Sequence, residues 1–305
     1  KTSRCSSAAS DVYKRQGKQV SIGGRDLRFD PDTGEIQTLS GQTQFGFCFD
    51  NVGNRFGGNN SNAMWHYVLE DPYLARNPHY AAPATRKTVP EDPGAAPIFS
   101  ASRPLPRFND FDRLNRITSA CSPIIYRDEL FGGGEQSFSF VCEPVHNLVH
   151  RERMQADGVS FSSHRLDHEA NAEFLASTDN WFRPVMVRTG PDGALWIADM
   201  YRLVIEHPTW IPQSWQDQLD LRAGHDRGRI YRVLPAGRKP RSVPDYLKMS
   251  SDELVGVLDQ PNQTQADTAH QLLVHNDSSP SSSAAKKLLA DAVHPSAAIR
   301  WLYYL

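Results

Sequence analysis

Apolar and polar positions alternate through the first three quarters of the chain, in pairs of short runs around turn sequences. LRFDPDTGEIQTL, FCFDNVGNRFG, HRERMQADGVSF and VRTGPDGALWIAD each set a turn built on Asp and Gly between β-prone flanks. An Asp or Asn side chain holds such a turn and Gly takes its positive φ, so each predicts a β-hairpin. GRIYRVLP reads as one more strand, with Ile230, Arg232 and Leu234 on one face and Tyr231 and Val233 on the other. Hairpins in series without intervening helices predict a mainly β fold. The likeness of FDNVGN to GPDG suggests the same hairpin in successive units, as in a partial β-propeller of about four blades.

Two stretches break this pattern. Residues 71–116 are proline-rich and weakly periodic, and read as a long insertion in a propeller domain spanning 17–236. From 237 to 248 runs a basic, proline-punctuated linker, and from 249 to 305 the period changes to that of helices. Ser250 and Glu253 have capping-box spacing, ahead of an apolar stripe at Leu254, Val257 and Leu258. TQADTAHQLLVHND, SSAAKKLLADAVHP and SAAIRWLYYL repeat the helical pattern, as expected of a truncated α-solenoid of the HEAT kind. Residues 1–16 resemble a translated adapter and are set aside as a non-native leader.

Composition narrows the function classes. With 305 residues, 39% hydrophobic content and a net charge of -2, the chain has no basic excess to suggest nucleic acid. It also has no apolar run of about 18 residues to cross a membrane. Of four cysteines, Cys5 lies in the leader and Cys48 reads as core. Cys121 and Cys142 sit in two apolar runs; paired as neighbouring strands these would allow a disulfide, and two buried thiols are the equal alternative. No C-x-x-C or zinc-spaced Cys/His cluster occurs.

GQTQFGFCFDNVGNRFGGNNSNAMWHY, SACSPIIYRDEL, FVCEPVHNLVHR, FLASTDNWFRPVMVRTGPDGALWIADMYRLVIEHPTWIP and LRAGHDRGRIYRV resemble the propeller domain of bacterial membrane-bound dehydrogenases. That family's propeller is similar to that of soluble quinoprotein glucose dehydrogenases and is followed by HEAT-like repeats. The resemblance implies an oxidoreductase that oxidises a sugar or alcohol outside the cytoplasm, in the periplasm or extracellularly. Pyrroloquinoline quinone and calcium are possible cofactors by the same resemblance. Electrons would pass to a c-type cytochrome domain of a longer parent; this chain has no C-x-x-C-H, so haem is not supported here. By the same resemblance, the N-terminal blades of such a ring would lie outside this sequence.

Around the P-D-G hairpin the residues themselves offer chemistry. Guanidinium groups bind carboxylates bidentately, so Arg183, Arg202, Arg222 and Arg227, with His225, are candidates to hold an anionic quinone or an acidic sugar. A histidine is a natural base for an alcohol proton, which nominates His146 and His207, with Asp199 to orient the base or bind a cation. The structural alternative is that these residues lock loops and strands together. His146 and His150 would lie about 13 Å apart on a strand, too far for one metal; Glu143 is expected to pair with an arginine. Asn59, Asn60 and Asn62 suit turns better than sugar hydroxyls. FGGGEQ lacks the Lys-Ser/Thr of a phosphate loop. No carboxylate pair suggests a glycosidase. A non-catalytic propeller and HEAT scaffold binding polysaccharide or protein is the alternative function.

Overall fold

The computed structural model describes residues 3–4, 12–15, 18–104, 115–132, 137–275 and 280–304. Each sequence-predicted hairpin is present. β1 (Ser3–Arg4), β4 (Asp26–Phe29) and β5 (Ile36–Leu39) form one sheet, and β2 (Val12–Arg15) pairs with β3 (Lys18–Ser21). The residues set aside as a leader therefore contribute β1 and β2, while Cys5 lies outside the described residues. β6 (Phe47–Phe49), β7 (Arg55–Asn59), β8 (Asn62–Tyr67) and β9 (Arg86–Thr88) form a four-stranded antiparallel meander. β9 comes from the proline-rich stretch, after the short helix α1 (Asp71–Leu74). That stretch is more than an insertion: its strand lies at the sheet's edge, where the prolines around it interrupt no central ladder.

The next meander is β10 (Cys121–Ile125), β11 (Ser137–Glu143), β12 (Leu148–Asp157) and β13 (Ser160–His164), with β14 (Leu175–Ala176) on the first residues of β12. β15 (Pro184–Thr189), β16 (Leu195–Asp199) and β17 (Arg229–Val233) make a three-stranded sheet, with the short helix α2 (Gln213–Gln216) in the excursion between β16 and β17. The fold is mainly β, with several sheets, none closed into a barrel.

The β10–β14 sheet buries both faces, which explains why the apolar runs of β10 and β11 do not alternate cleanly. Phe138, Phe140, Cys142 and Val149 pack against Val187, Leu195 and Ile197 of the β15–β17 sheet. On the opposite side Val141 and Leu148 meet Ala63, while Ile125 and Met154 meet Phe56 and Met64. The first strands are neighbours in turn, β6 beside β10 and β10 beside β15. Ser122 joins all three. In the left-handed region at φ 51, its N–H donates to the Phe45 carbonyl at 2.9 Å. Its Oγ lies 3.2 Å from the Val187 carbonyl and accepts from Val187 N–H and the Arg188 guanidinium at 3.1 and 2.7 Å. One sheet earlier, buried Arg55 ties β7 to Asp26 of β4 and to Glu70, each at 2.6 Å.

The helical pattern is also realised. α3 (Ser251–Val257) begins at Ser250 with the expected capping box. α4 (Gln263–His275), α5 (Ser282–Asp291) and α6 (Pro295–Tyr304) follow. α3 packs on α4 and α5, and α6 on α4 and α5, around Leu254, Leu258, Ala269, Leu273, Ala297 and Trp301. The helices are anchored to the sheets by Asp128, whose fully buried carboxylate accepts from Arg241 at 2.8 Å and Asn262 at 2.7 Å.

Ser122→Ala is expected to destabilise the chain by about 2 kcal/mol, since it leaves the buried Val187 N–H unpaired. Denaturant unfolding checks this, and a change below about 0.5 kcal/mol would show that the three-sheet junction does not depend on this hydroxyl.

Candidate functional site

The residues singled out around the P-D-G hairpin fall into two groups. Arg183, Asp199 and Arg202 converge at the end of β16, beside the turn that carries His146. Asp199 is the last residue of β16 and is buried. Its Oδ1 accepts from the Arg183 and Tyr201 N–H groups, both at 2.8 Å, which supports the left-handed turn at Tyr201 (φ 49). Its Oδ2 is buried without a hydrogen-bond partner, with Arg229 Nε 3.9 Å away. Arg202 Nη1 is likewise buried and unpartnered.

Arg183 is buried and its donors are committed to backbone. Nε donates to the Arg202 carbonyl at 3.0 Å, Nη2 to that of Leu203 at 2.9 Å, and Nη1 to those of Pro144 and Val145 at 2.9 and 3.2 Å. A guanidinium suits this because its planar fork of donors reaches several acceptors at once. Arg183 thus clamps the turn before His146 to the loop after β16.

His146 closes a single 3-10 turn (Pro144–His146) and is buried. Its Nε2 accepts from Asn115 N–H at 3.2 Å, so Nδ1 carries the proton and donates to Glu143 at 3.1 Å. Both ring nitrogens are engaged. Among the described residues Glu143 pairs with no arginine, contrary to expectation; it accepts from His146, the Ser119 hydroxyl and the N–H groups of Thr118 and Ser119. The apolar runs around it hide these loop donors from sequence reading.

The second group stands in solvent. His207 is exposed, and its Nδ1 caps a short turn by accepting from Thr209 N–H at 3.2 Å. Arg222, His225 and Arg227 are exposed on the loop before β17, with Asp226 3.9 Å from Arg227. That loop folds onto the end of β16 because Gly224 takes φ +87 against the chain; a Cβ there would lie 2.3 Å from the Tyr201 carbonyl. Beside it Trp181 and Tyr201 hold their rings 5.7 Å apart, and the Arg229 guanidinium stacks 4.1 Å over Tyr201. The Tyr201 hydroxyl donates to Asp179 at 3.0 Å.

The cofactors implied by the resemblance can be tested against this arrangement. Arg183 has its fork filled by carbonyls, which leaves no bidentate face for a quinone carboxylate. Among the described residues no group of three or more His, Cys, Asp or Glu side chains could hold a metal ion. Buried Arg183 therefore does not fit a quinone carboxylate. Asn59 serves its turn, accepting from Ser61 and Asn62 N–H.

A buried ionic cluster escaped the sequence. His150 lies between Glu173 at 2.8 Å and Glu152 at 3.2 Å, with Arg165 on Glu173 at 2.8 Å. Glu152 and Arg165 also line an open depression of about 440 Å3 with Glu91, Asp92, Gln155, Ser163 and His164. Burial alone would lower the His150 pKa, yet hydrogen bonds and charge from the two glutamates outweigh it and raise it to about 9. Burial would raise Glu152 and Glu173, but His150 and Arg165 hold both below the usual carboxylate range. His150 and Glu152 share one face of β12 with Leu148 and Met154, which pack against Ala63, Phe56 and Met64 of the β6–β9 sheet.

Two outcomes follow. Because the folded His150 pKa lies above its ordinary 6.5, its contribution is complete below pH 6.5 and disappears as pH rises through about 9. Denaturant midpoints should therefore fall between pH 6.5 and 9.5 in the native chain and less so in His150→Gln. Arg183→Lys should cost about 3 kcal/mol, since one ammonium cannot serve the separated carbonyls; an unchanged midpoint would remove Arg183 as the clamp.

Neither a comparison with curated proteins nor one with solved structures gives a match. Residues 2–237 match the family described as a domain of unknown function, DUF7133, and the chain belongs to that family.

Proposed function

We propose that this chain is a non-catalytic binding scaffold, part of a β-propeller with a HEAT-like helical layer, that holds an acidic polysaccharide at the end of β16. Support for the propeller comes from three successive antiparallel sheets stacked face to face, with their first strands β6, β10 and β15 side by side. The order of helix contacts, α3 beside α5 and α4 beside α6, supports stacked helical pairs.

The observation that carries the reading is the commitment of both candidate histidine bases and of Arg183. Both nitrogens of His146 are engaged, Arg183 donates to carbonyls, and His207 caps a turn. None is poised to take a proton or hold a quinone. At the surface lies a partly exposed aromatic pair, Trp181 and Tyr201, with exposed Arg222, His225, Arg227 and Arg229 on the neighbouring loop and strand. Flat rings stack on sugar rings, and exposed guanidinium groups pair with uronate carboxylates. The compartment proposed is outside the cytoplasm, where such polymers occur, in keeping with the resemblance to exported dehydrogenases.

Affinity electrophoresis in gels containing alginate or dextran tests the reading. Retardation is expected by alginate and not by dextran, weakening with salt, and at least tenfold weaker in the exposed-loop variant Arg222→Ala/Arg227→Ala. Equal mobility in both gels removes the polysaccharide role. Sugar-dependent dye reduction, with pyrroloquinoline quinone and calcium added, would instead restore the oxidoreductase reading.

A further inference from the structure

Cys121 and Cys142 stand directly opposite each other where β10 and β11 begin to pair. Directly opposed residues of antiparallel strands have Cα atoms about 4.5–5.5 Å apart, inside the span that a disulfide bridges. The Cys121 thiol donates to the Val185 carbonyl at 3.6 Å, and both cysteines are free thiols. The register shifts immediately after this pair, between Cys121 and Ile124, and Ser122 sits in the left-handed region. The bulge lets β10 turn Ser122 towards β15 while Cys121 remains opposite Cys142.

We propose that Cys121 and Cys142 form a reversible disulfide that staples β10 to β11 at the junction of the three central sheets. The oxidant is a small-molecule or protein disulfide. Cys121 is the entry point because it is partly exposed, whereas Cys142 is fully buried. Burial, followed by the neighbouring Cys121 thiol, holds the Cys142 thiol well above its ordinary pKa, so it is a poor first nucleophile. The Cys121 thiolate attacks one sulfur of the incoming disulfide and releases one thiol. The Cys142 sulfur, on losing its proton, then displaces the second thiol from Cys121. Two cysteine thiols become one disulfide, and the two electrons and two protons leave on two molecules of thiol.

Cys48 provides an internal control. It packs against Phe56, Met64 and Ile125, and burial pushes its thiol up to about 12. Its β-ladder partner is Phe56, with no cysteine opposite.

The whole chain is equilibrated with glutathione disulfide, its remaining thiols are alkylated in denaturant, and unreduced peptides are mapped by mass spectrometry. The expected result is a linked Cys121–Cys142 peptide pair with Cys48 alkylated. Cys142→Ser should stop at a persistent Cys121–glutathione adduct. In the native chain, oxidation should raise the thermal midpoint by several degrees relative to the reduced form, through the constraint on residues between the two cysteines. Alkylation of Cys121 and Cys142 after equilibration, or linkage of either to another cysteine, would overturn the proposal.

Discussion

Three sheets meet at Ser122, and the arrangement of the rest of the chain follows from that junction. An antiparallel sheet that buries both faces must have neighbours on both sides, and those neighbours must hold their register against it. Ser122 does this through backbone and hydroxyl together, binding Phe45 on one side and Val187 on the other. The apolar layers on the two faces of the β10–β14 sheet supply the larger free energy, since hydrophobic burial is non-directional. The hydroxyl supplies direction, because an unmatched buried N–H costs more than a matched one contributes.

The same logic governs the polar groups. Buried Arg55, Asp128, Arg183 and Glu143 each satisfy several partners that belong to different segments. Loops long enough to wander are fixed by a single charged side chain at their base. The end of β16 is therefore rigid underneath, where Arg183 and Asp199 organise the backbone, and chemically open above. There Trp181, Tyr201 and Arg229 stack, and the guanidinium groups of Arg222 and Arg227 extend into solvent. A rigid floor thus carries a surface of aromatic rings and guanidinium groups.

Much of the fold was legible because it is written in local terms. Asp–Gly turns, flanking alternation and the Ser250–Glu253 capping box depend on residues close in sequence, and each forms where its pattern lies. The insertion was read less well. Its prolines suppressed a strand signal that β9 nevertheless realises at a sheet edge. The convergence of Arg183, Asp199 and Arg202 was visible from their placement at the ends of strands. Their use was not, since whether a guanidinium meets ligand or carbonyl depends on loops far away in sequence.

By itself, the sequence determined the hairpins, the change from strand to helix near the linker, and the cysteines' presence in two adjacent apolar runs. Tertiary structure alone decided that Cys121 faces Cys142, that Glu143 receives His146 and not an arginine, and that His150 and Glu152 are buried. The physical reason is range. Turn and capping energies act within a few residues, whereas desolvation and charge pairing depend on which surface is laid over a side chain. His150 and Glu152 are neighbours on one strand, and it took Glu173 and Arg165, brought back over that strand, to make its face an ionic core.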